Sequence, residues 1–300
     1  MNALEQRIAA QFARPRSGEL HAAVTGFAAE LASATPQALA ILFYGSNLRT
    51  GSLEGVLDYY VLTDGPQVEK IWPRVSYHEA NVAHEDVRAK VATMSLAQFA
   101  RAASGQSRDT TIWARFVQPS GLIWSRDDAA ASAVLEAVCD AAKTAARLAA
   151  ALGPESGPAQ DYWRSLFRAT YKAEFRVEKA GREDSILSVN EAHFDGLLSA
   201  AWEADGLSFA QSGDVLTPDL SAHARRDTLR WWAKRQRLGK MLNIARLLKA
   251  TTTFEGAGRY AAWKIERHTG VPVKVTPWRE KHPVLSAPSV LWQIWRHKSR

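Results

Sequence analysis

Gly45, Ser46 and Asp58 are the residues of this chain whose types and spacing match a specific chemistry. They lie in LFYGSNLRTGSLEGVLDYYVLTD, residues 42–64, where an apolar run breaks into Gly45-Ser46 and a second apolar run holds one internal carboxylate, Asp58. Transfer of a nucleotidyl group needs a backbone turn that can approach triphosphate oxygens and a carboxylate that holds Mg²⁺ beside them. Gly45 would supply the close approach, Ser46 a short hydroxyl donor and Asp58 the metal ligand. Such sites usually carry two carboxylates, spaced Asp-x-Asp or Asp-x-Glu, whereas this chain reads Asp58-Tyr59-Tyr60. A βα turn followed by an ordinary strand accounts for the same residues.

The elements that must hold these residues are legible around them. Residues 37–44 and 56–63 read as strands joined by a Gly-containing loop, and the first is so uniformly apolar that it should be central and buried on both faces. Upstream, 4–33 reads as helices broken near Pro15. Downstream, 75–77 and 88–93 are short strand candidates, and a helix starts at Ser95, which caps LAQFARAA. Residues 112–116 continue the apolar pattern, 118–121 turn the chain, and 121–124 form another strand. The Ala-rich run 129–152 is a long helix ending at Gly153-Pro154. GPESGPAQ, residues 153–160, is the clearest linker and sets the expected domain boundary. Beyond it helices are expected over 160–179, 184–203, 222–249 and 257–268, followed by a Gly/Pro-rich tail.

The chain has 300 residues, 46% of them apolar, which is long enough for two cored domains. No uninterrupted apolar stretch approaches the roughly 20 residues that span a bilayer. The N-terminus has a helical pattern rather than an h-region with a cleavage site, and reads as the first helix of a cytoplasmic protein. Cys139 is the single cysteine, which excludes an intramolecular disulfide and a multi-cysteine zinc site. His78 and His84 have no metal-ligand spacing. The net charge of +7 is unevenly distributed: residues 223–300 hold 18 Lys/Arg against 4 Asp/Glu, a local +14, and the other 222 hold 20 against 27, or −7. Six of the eleven tryptophans (Trp231, Trp232, Trp263, Trp278, Trp292, Trp295) share the basic part. That part should face a polyanion, either an anionic membrane surface or nucleic acid.

Several segments together carry a resemblance. FYGS (43–46) resembles a YGSG-type turn with Asn47 in place of the second glycine, and LDYYVLTD (57–64) an LDFIF-V-D strand. RAKVATMSLAQFAR (88–101) resembles K-x-KYGV-x-S-x-x-x-L, and TIWARFVQPSGLIW (111–124) resembles LYLAGRL-x-KPV. LFRATYKAEFRVEKAGREDSILSVNEAHFDGLL (166–198) is similar to a Y-x-GD-x-R segment and its following helix. In this order, over about residues 40–200, the chain resembles the mitochondrial translocator assembly and maintenance protein family, the mitochondrial-type phosphatidate cytidylyltransferases. The resemblance implies an α+β chain. A polymerase-β-like nucleotidyltransferase domain with a mixed sheet (1–152) would precede a mostly helical, winged-helix-like domain (161–285) and a basic amphipathic tail (286–300). It implies transfer of CMP from CTP to phosphatidic acid with Mg²⁺, giving CDP-diacylglycerol and pyrophosphate, by an enzyme peripheral on the inner face of a membrane.

Carried over position by position, the resemblance makes Gly45 and Ser46 the β/γ-phosphate cradle and Asp58 the Mg²⁺ ligand. Asp64 would be a second acidic position, although Thr63-Asp64-Gly65-Pro66 also reads as a plain turn. Lys90 and Arg88, two apart on a strand, would face one side as phosphate ligands, with a solvated strand face as the alternative. Arg115 lies in an apolar stretch, so if buried it must pair with an anion, either substrate phosphate or a structural carboxylate. Tyr171, Glu174 and Arg176 correspond to the Tyr, Asp and Arg of the second-domain segment, with Ala173-Glu174 in place of Gly-Asp. No general base is required, because a phosphatidate is already ionised and nucleophilic; metal clamping and charge neutralisation would carry catalysis. Residues 225–249 read as an amphipathic helix with Leu238, Met241, Leu242, Ala245 and Leu248 on its apolar face. SVLWQIWRHKSR (289–300) suits a short interfacial helix on anionic lipid, or a tail docked on the protein itself. Two other readings stay open: nucleotidyl transfer to another acceptor (another lipid phosphate, a sugar phosphate or RNA), and a catalytically silent nucleotidyltransferase-like module.

Overall fold

Strand β1 (Ala38–Tyr44) forms where the most apolar run predicts it, with Ala40, Ile41, Leu42 and Phe43 all fully buried. The computed structural model describes residues 1–13, 19–70, 73–82, 84–174, 182–253, 256–281, 286, 289 and 292. Helices α1 (Ala3–Ala13) and α2 (Glu19–Ala34) precede β1; the five-residue α3 (Ser46–Thr50) follows it and leads through a short loop to β2 (Leu57–Thr63). Next come the long hairpin β3 (Arg74–Val82) and β4 (Glu85–Ser95), helices α4 (Leu96–Ala103) and α5 (Thr111–Phe116), and β5 (Ser120–Ser125). The five strands make one mixed sheet in the order β3-β4-β2-β1-β5, in which only β2 and β4 run parallel.

The two-residue period of β2 sorts its side chains between two cores. Leu57, Tyr59 and Val61 face α2, where they pack with Val24, Phe27 and Ala28; the Tyr59 hydroxyl donates to the Val24 carbonyl at 3.2 Å. Tyr60 and Leu62 face the opposite side, toward Phe99 of α4 and Trp113 and Phe116 of α5. Asp58 shares that second face. Ser95 caps α4 as expected, its side chain accepting from the Gln98 amide at 3.2 Å.

Helix α6 (Asp128–Leu152) is capped by Asp127, which accepts from the Ala130 amide at 2.7 Å. Its alanines let neighbouring helices approach closely. Past the 153–160 segment come β6 (Gly157–Pro158), α7 (Ala159–Glu174), α8 (Arg182–Val189), α9 (Glu191–Phe194) and α10 (Leu197–Ala204). The single helix expected over 184–203 is therefore three, interrupted at Asn190 and at Gly196, whose φ of +63° is the left-handed conformation glycine favours. The hairpin β7 (Phe209–Ser212) and β8 (Val215–Pro218) turns through Gly213-Asp214 and pairs with β6 to make a small second sheet. The chain closes with α11 (Ala222–Thr253), α12 (Ala257–Thr269) and α13 (Pro277–Lys281).

One apolar cluster spans both sides of the 153–160 segment, joining Leu42 and Trp113 to Trp163, Phe167, Trp202 and Trp232. Trp113, Trp163 and Trp202 are fully buried, and the Trp202 indole donates to the Ala146 carbonyl at 2.9 Å. Burial of each such ring contributes on the order of 3 kcal/mol.

On helix α11 the fully buried stripe runs through Trp232, Arg235 and Gly239; of the expected apolar face, Leu238, Leu242 and Ala245 are half-buried, Met241 is exposed, and the Leu248 side chain lies outside the described residues. Arg235 spends its guanidinium on the Gly105, Ser107 and Trp231 carbonyls, and its face lies 4.0 Å over the Trp231 ring. Arg246 pairs in bidentate fashion with the buried Asp109, which also accepts from the Thr111 amide at the start of α5. A polar stripe packs because each guanidinium is matched by a fixed acceptor. Of the tail, only Ser286, Ser289 and Trp292 are described, and Trp292 is exposed; the rest of the expected interfacial segment lies outside the described residues. No described helix is long and apolar enough to cross a membrane.

Candidate functional site

The β1–β2 register places Tyr44 opposite Asp58, and the β2–β4 register places Asp58 beside Lys90. Three strands thus bring a turn, a carboxylate and an amine to one point. Gly45 leaves β1 with φ +94° and ψ −161°, a conformation essentially restricted to glycine. A Cβ there would also meet Asp58 Oδ2 at 2.7 Å. Asn47, expected only as a replaced glycine, is buried, and its amide donates to the Ser52 and Glu54 carbonyls at 2.8 Å each, which ties down the loop between α3 and β2.

A cavity of about 490 Å³ opens at this point, between the sheet, α5, α7 and α8. Gly45, Ser46, Asp58, Lys90, Arg115 and Tyr171 line it, so six of the residues singled out from sequence converge. Arg49, Tyr44, Gln118 and Thr170 line it as well and were missed. Arg49 carried a faint signal, four residues beyond Gly45 on the segment leaving the turn. The others depend on which helix face meets the sheet.

The remaining expected residues divide. Asp64 follows the last residue of β2, roughly 20 Å along the strand from Asp58. There it is exposed, accepts from the Gly65 amide and lies 3.8 Å from Arg126, so the proposed pairing of Asp58 with Asp64 as metal ligands fails on distance. Arg88 shares a strand face with Lys90 yet is not among the cavity's lining residues. Its guanidinium lies 5.9 Å over the Trp263 ring of α12 and 3.9 Å from Glu79. Glu174 is the last residue of α7, and Arg176 lies outside the described residues.

Among the lining residues, three cations (Arg49, Lys90, Arg115) face one carboxylate, a net of two positive charges. Burial pushes the Asp58 carboxyl above its ordinary value, and Lys90, Arg115 and Arg49 each pull it back. Arg115 also lies 5.3 Å over the Tyr44 ring. The apolar remainder of the wall comes mainly from Phe167, Ile186 and Pro119. Such a pocket suits a ligand with several negative charges and an apolar or aromatic part.

Whether Mg²⁺ fits depends on the oxygen donors. Mg²⁺ is commonly held by one or two carboxylates, with phosphate and water completing its octahedron. Asp58 is the single lining carboxylate, the buried Tyr60 hydroxyl is held neutral by desolvation, and no three His, Cys, Asp or Glu side chains gather among the described residues. This donor set fits an ion that arrives on a phosphate chain and takes one protein oxygen. It does not fit an ion bound by protein groups alone.

The fold is α+β, with a cationic cavity at one end of the central strands of a mixed sheet. No family model matches the chain, and no curated protein is significantly similar to it in sequence.

Proposed function

We propose that the protein is a nucleotidyltransferase that binds a nucleoside triphosphate in this cavity. The carrying observation is that the Gly45-Ser46 turn, Asp58 and three cations from separate elements line one cavity. The cavity's two net positive charges complement the two net negative charges of a Mg²⁺-triphosphate complex. Arg49, Lys90 and Arg115 bind and orient the phosphates, and they neutralise the charge that grows on departing pyrophosphate. Asp58 would hold Mg²⁺, which, when bound, supplies further charge neutralisation at the phosphate chain. An acceptor that is a phosphate monoester is already a nucleophile, so no general base is required.

We assign CTP and phosphatidic acid as the substrates on the ordered sequence resemblance. The apolar wall formed by Phe167 and Ile186 and the basic C-terminal part support a lipid phosphate over nucleic acid. The enzyme would then act as a peripheral protein on the cytoplasmic face of an anionic membrane. Purified protein given labelled CTP, Mg²⁺ and phosphatidate liposomes should release pyrophosphate and form CDP-diacylglycerol. Release that ignores phosphatidate but responds to RNA or a sugar phosphate would replace the acceptor.

One observation favours a second reading, a silent nucleotide-binding module: the site holds one carboxylate against three cations. CTP binding without turnover on any acceptor would establish it.

A further inference from the structure

Lys90 lines the cavity, and Arg88 stands two residues before it on the same face of β4, roughly 7 Å along the strand. The β2–β4 register pairs Leu57 with Ala89, so Arg88 stands at the corner of the sheet where β2 begins. Helix α12 meets the same corner. Arg267 Nη1 lies 3.1 Å from where a Cβ on Gly55 would stand, in the loop that leads into β2. Trp263 of α12 holds both arginines: the Arg88 guanidinium is 5.9 Å and the Arg267 guanidinium 5.3 Å from its ring centroid.

Stacking on an indole restrains a guanidinium without using its in-plane donors. Here those donors are unused, since neither Arg88 nor Arg267 donates a hydrogen bond to a described residue. Glu79 stands 3.9 Å from Arg88 Nε and accepts instead from the Tyr77 hydroxyl at 2.9 Å. Arg88 keeps 39% of its side chain exposed, and Arg267 is exposed, so a ligand can reach both. Arg235 and Arg246 of α11 differ, because their donors are committed to backbone carbonyls and to Asp109.

Charge balance gives the pair a role. A Mg²⁺-triphosphate uses the two net positive charges of the cavity, which leaves none for the second anion that must come beside it. A phosphate monoester carries about two negative charges at pH 7, and Arg88 and Arg267 supply two positive ones. We infer that Arg88, Arg267 and the Trp263 ring that holds them form an acceptor-phosphate site, which adjoins the cavity at Lys90 and selects a phosphate monoester. Its three terminal oxygens suit planar donor forks, whereas a phosphodiester offers two oxygens and a single charge. The inference rests on the nucleotidyl-transfer reading of the cavity and adds to it the residues that bind the second substrate.

Calorimetric titration of the full chain with glycerol 3-phosphate, dioctanoyl phosphatidate and dioctanoyl phosphatidylglycerol, with and without saturating pyrophosphate and Mg²⁺, tests it. Both monoesters should bind in either condition with affinities that agree within about threefold, and the phosphodiester should bind about tenfold more weakly. Tighter binding of phosphatidate than of glycerol 3-phosphate would identify a lipid as the source of the phosphate, and equal binding a free phosphate ester. Arg267→Ala should weaken both monoesters about tenfold or more while pyrophosphate affinity changes by less than about twofold. Arg88→Ala should do the same, and the exposed Arg267 keeps the test intact should the Arg88 variant not fold. A purely structural stack would lower the melting temperature without separating the two kinds of ligand. Displacement of the monoesters by pyrophosphate, unchanged monoester affinity in Arg267→Ala, or no monoester binding to a wild type that binds pyrophosphate would each overturn the inference and leave the nucleotidyl-transfer reading standing. A wild type that binds neither pyrophosphate nor CTP would overturn that reading itself.

Discussion

Gly45, one residue past the end of β1, lies so close to Asp58 of β2 that a Cβ on it would be 2.7 Å from Asp58 Oδ2. The turn and the carboxylate are therefore one unit. Neither can change without moving the other.

Gly45→Ala should destabilise the protein by about 1–3 kcal/mol, the cost of holding a side chain in a backbone region reserved for glycine. It should also displace Asp58, and turnover should fall at least about tenfold. Urea unfolding together with CTP turnover checks this. Unchanged values for both would mean that the turn is not constrained as described.

Asp58→Asn keeps the shape and removes the charge. Turnover should fall on the order of 100-fold, while pyrophosphate should bind more tightly because a like charge has gone. Because burial raises the folded-state pKa, Asp58 favours the fold most below its ordinary value of 3.8, and that contribution is lost as pH rises through the folded value. The variant should therefore melt above the wild type at pH 7, with the gap closing as pH falls toward 4. A variant that melts lower at pH 7 would contradict the burial argument.

Arg246→Ala leaves Asp109 buried without its bidentate partner, and should cost about 3–5 kcal/mol. Asp109→Asn combined with Arg246→Ala should cost less than the sum of the two single changes. A thermodynamic cycle from chemical denaturation measures the coupling, and strict additivity would show that the pair is not an energetic unit.

Asp64→Asn should leave turnover and Mg²⁺ dependence unaltered and shift stability by no more than about 0.5 kcal/mol. Its carboxylate lies at the far end of β2, where it accepts from the Gly65 amide and faces Arg126. Loss of activity would return Asp64 to the metal site.

Much of the sheet was legible because buried strands advertise themselves. The run Leu39 to Tyr44 and the run Leu57 to Thr63 are apolar nearly throughout, and Ser95 and Asp127 are capping residues placed just before apolar helical runs. β3 is longer than the 75–77 its sequence suggests, because a half-exposed strand carrying His78, Glu79 and Asn81 on its pleat shows little apolar contrast. The β7–β8 hairpin leaves little trace beyond Gly213-Asp214, its two-residue turn; only Leu216 of its strands is buried, so apolar alternation is faint. On α11 the buried stripe includes arginine, which a search for apolar periodicity passes over.

For the site, the sequence by itself determined the Gly45-Ser46 turn, the carboxylate at Asp58 and the basic bias of the C-terminal part, since each is a property of neighbouring residues. Tertiary structure alone decided which cations join Asp58. Register put Lys90 beside it and carried Arg88 toward Trp263, strand length removed Asp64, and the packing of α5 and α7 on one sheet face brought in Arg115 and Tyr171. These are distances between residues tens of positions apart. They exist only once the β2–β4 ladder and the shared core have closed.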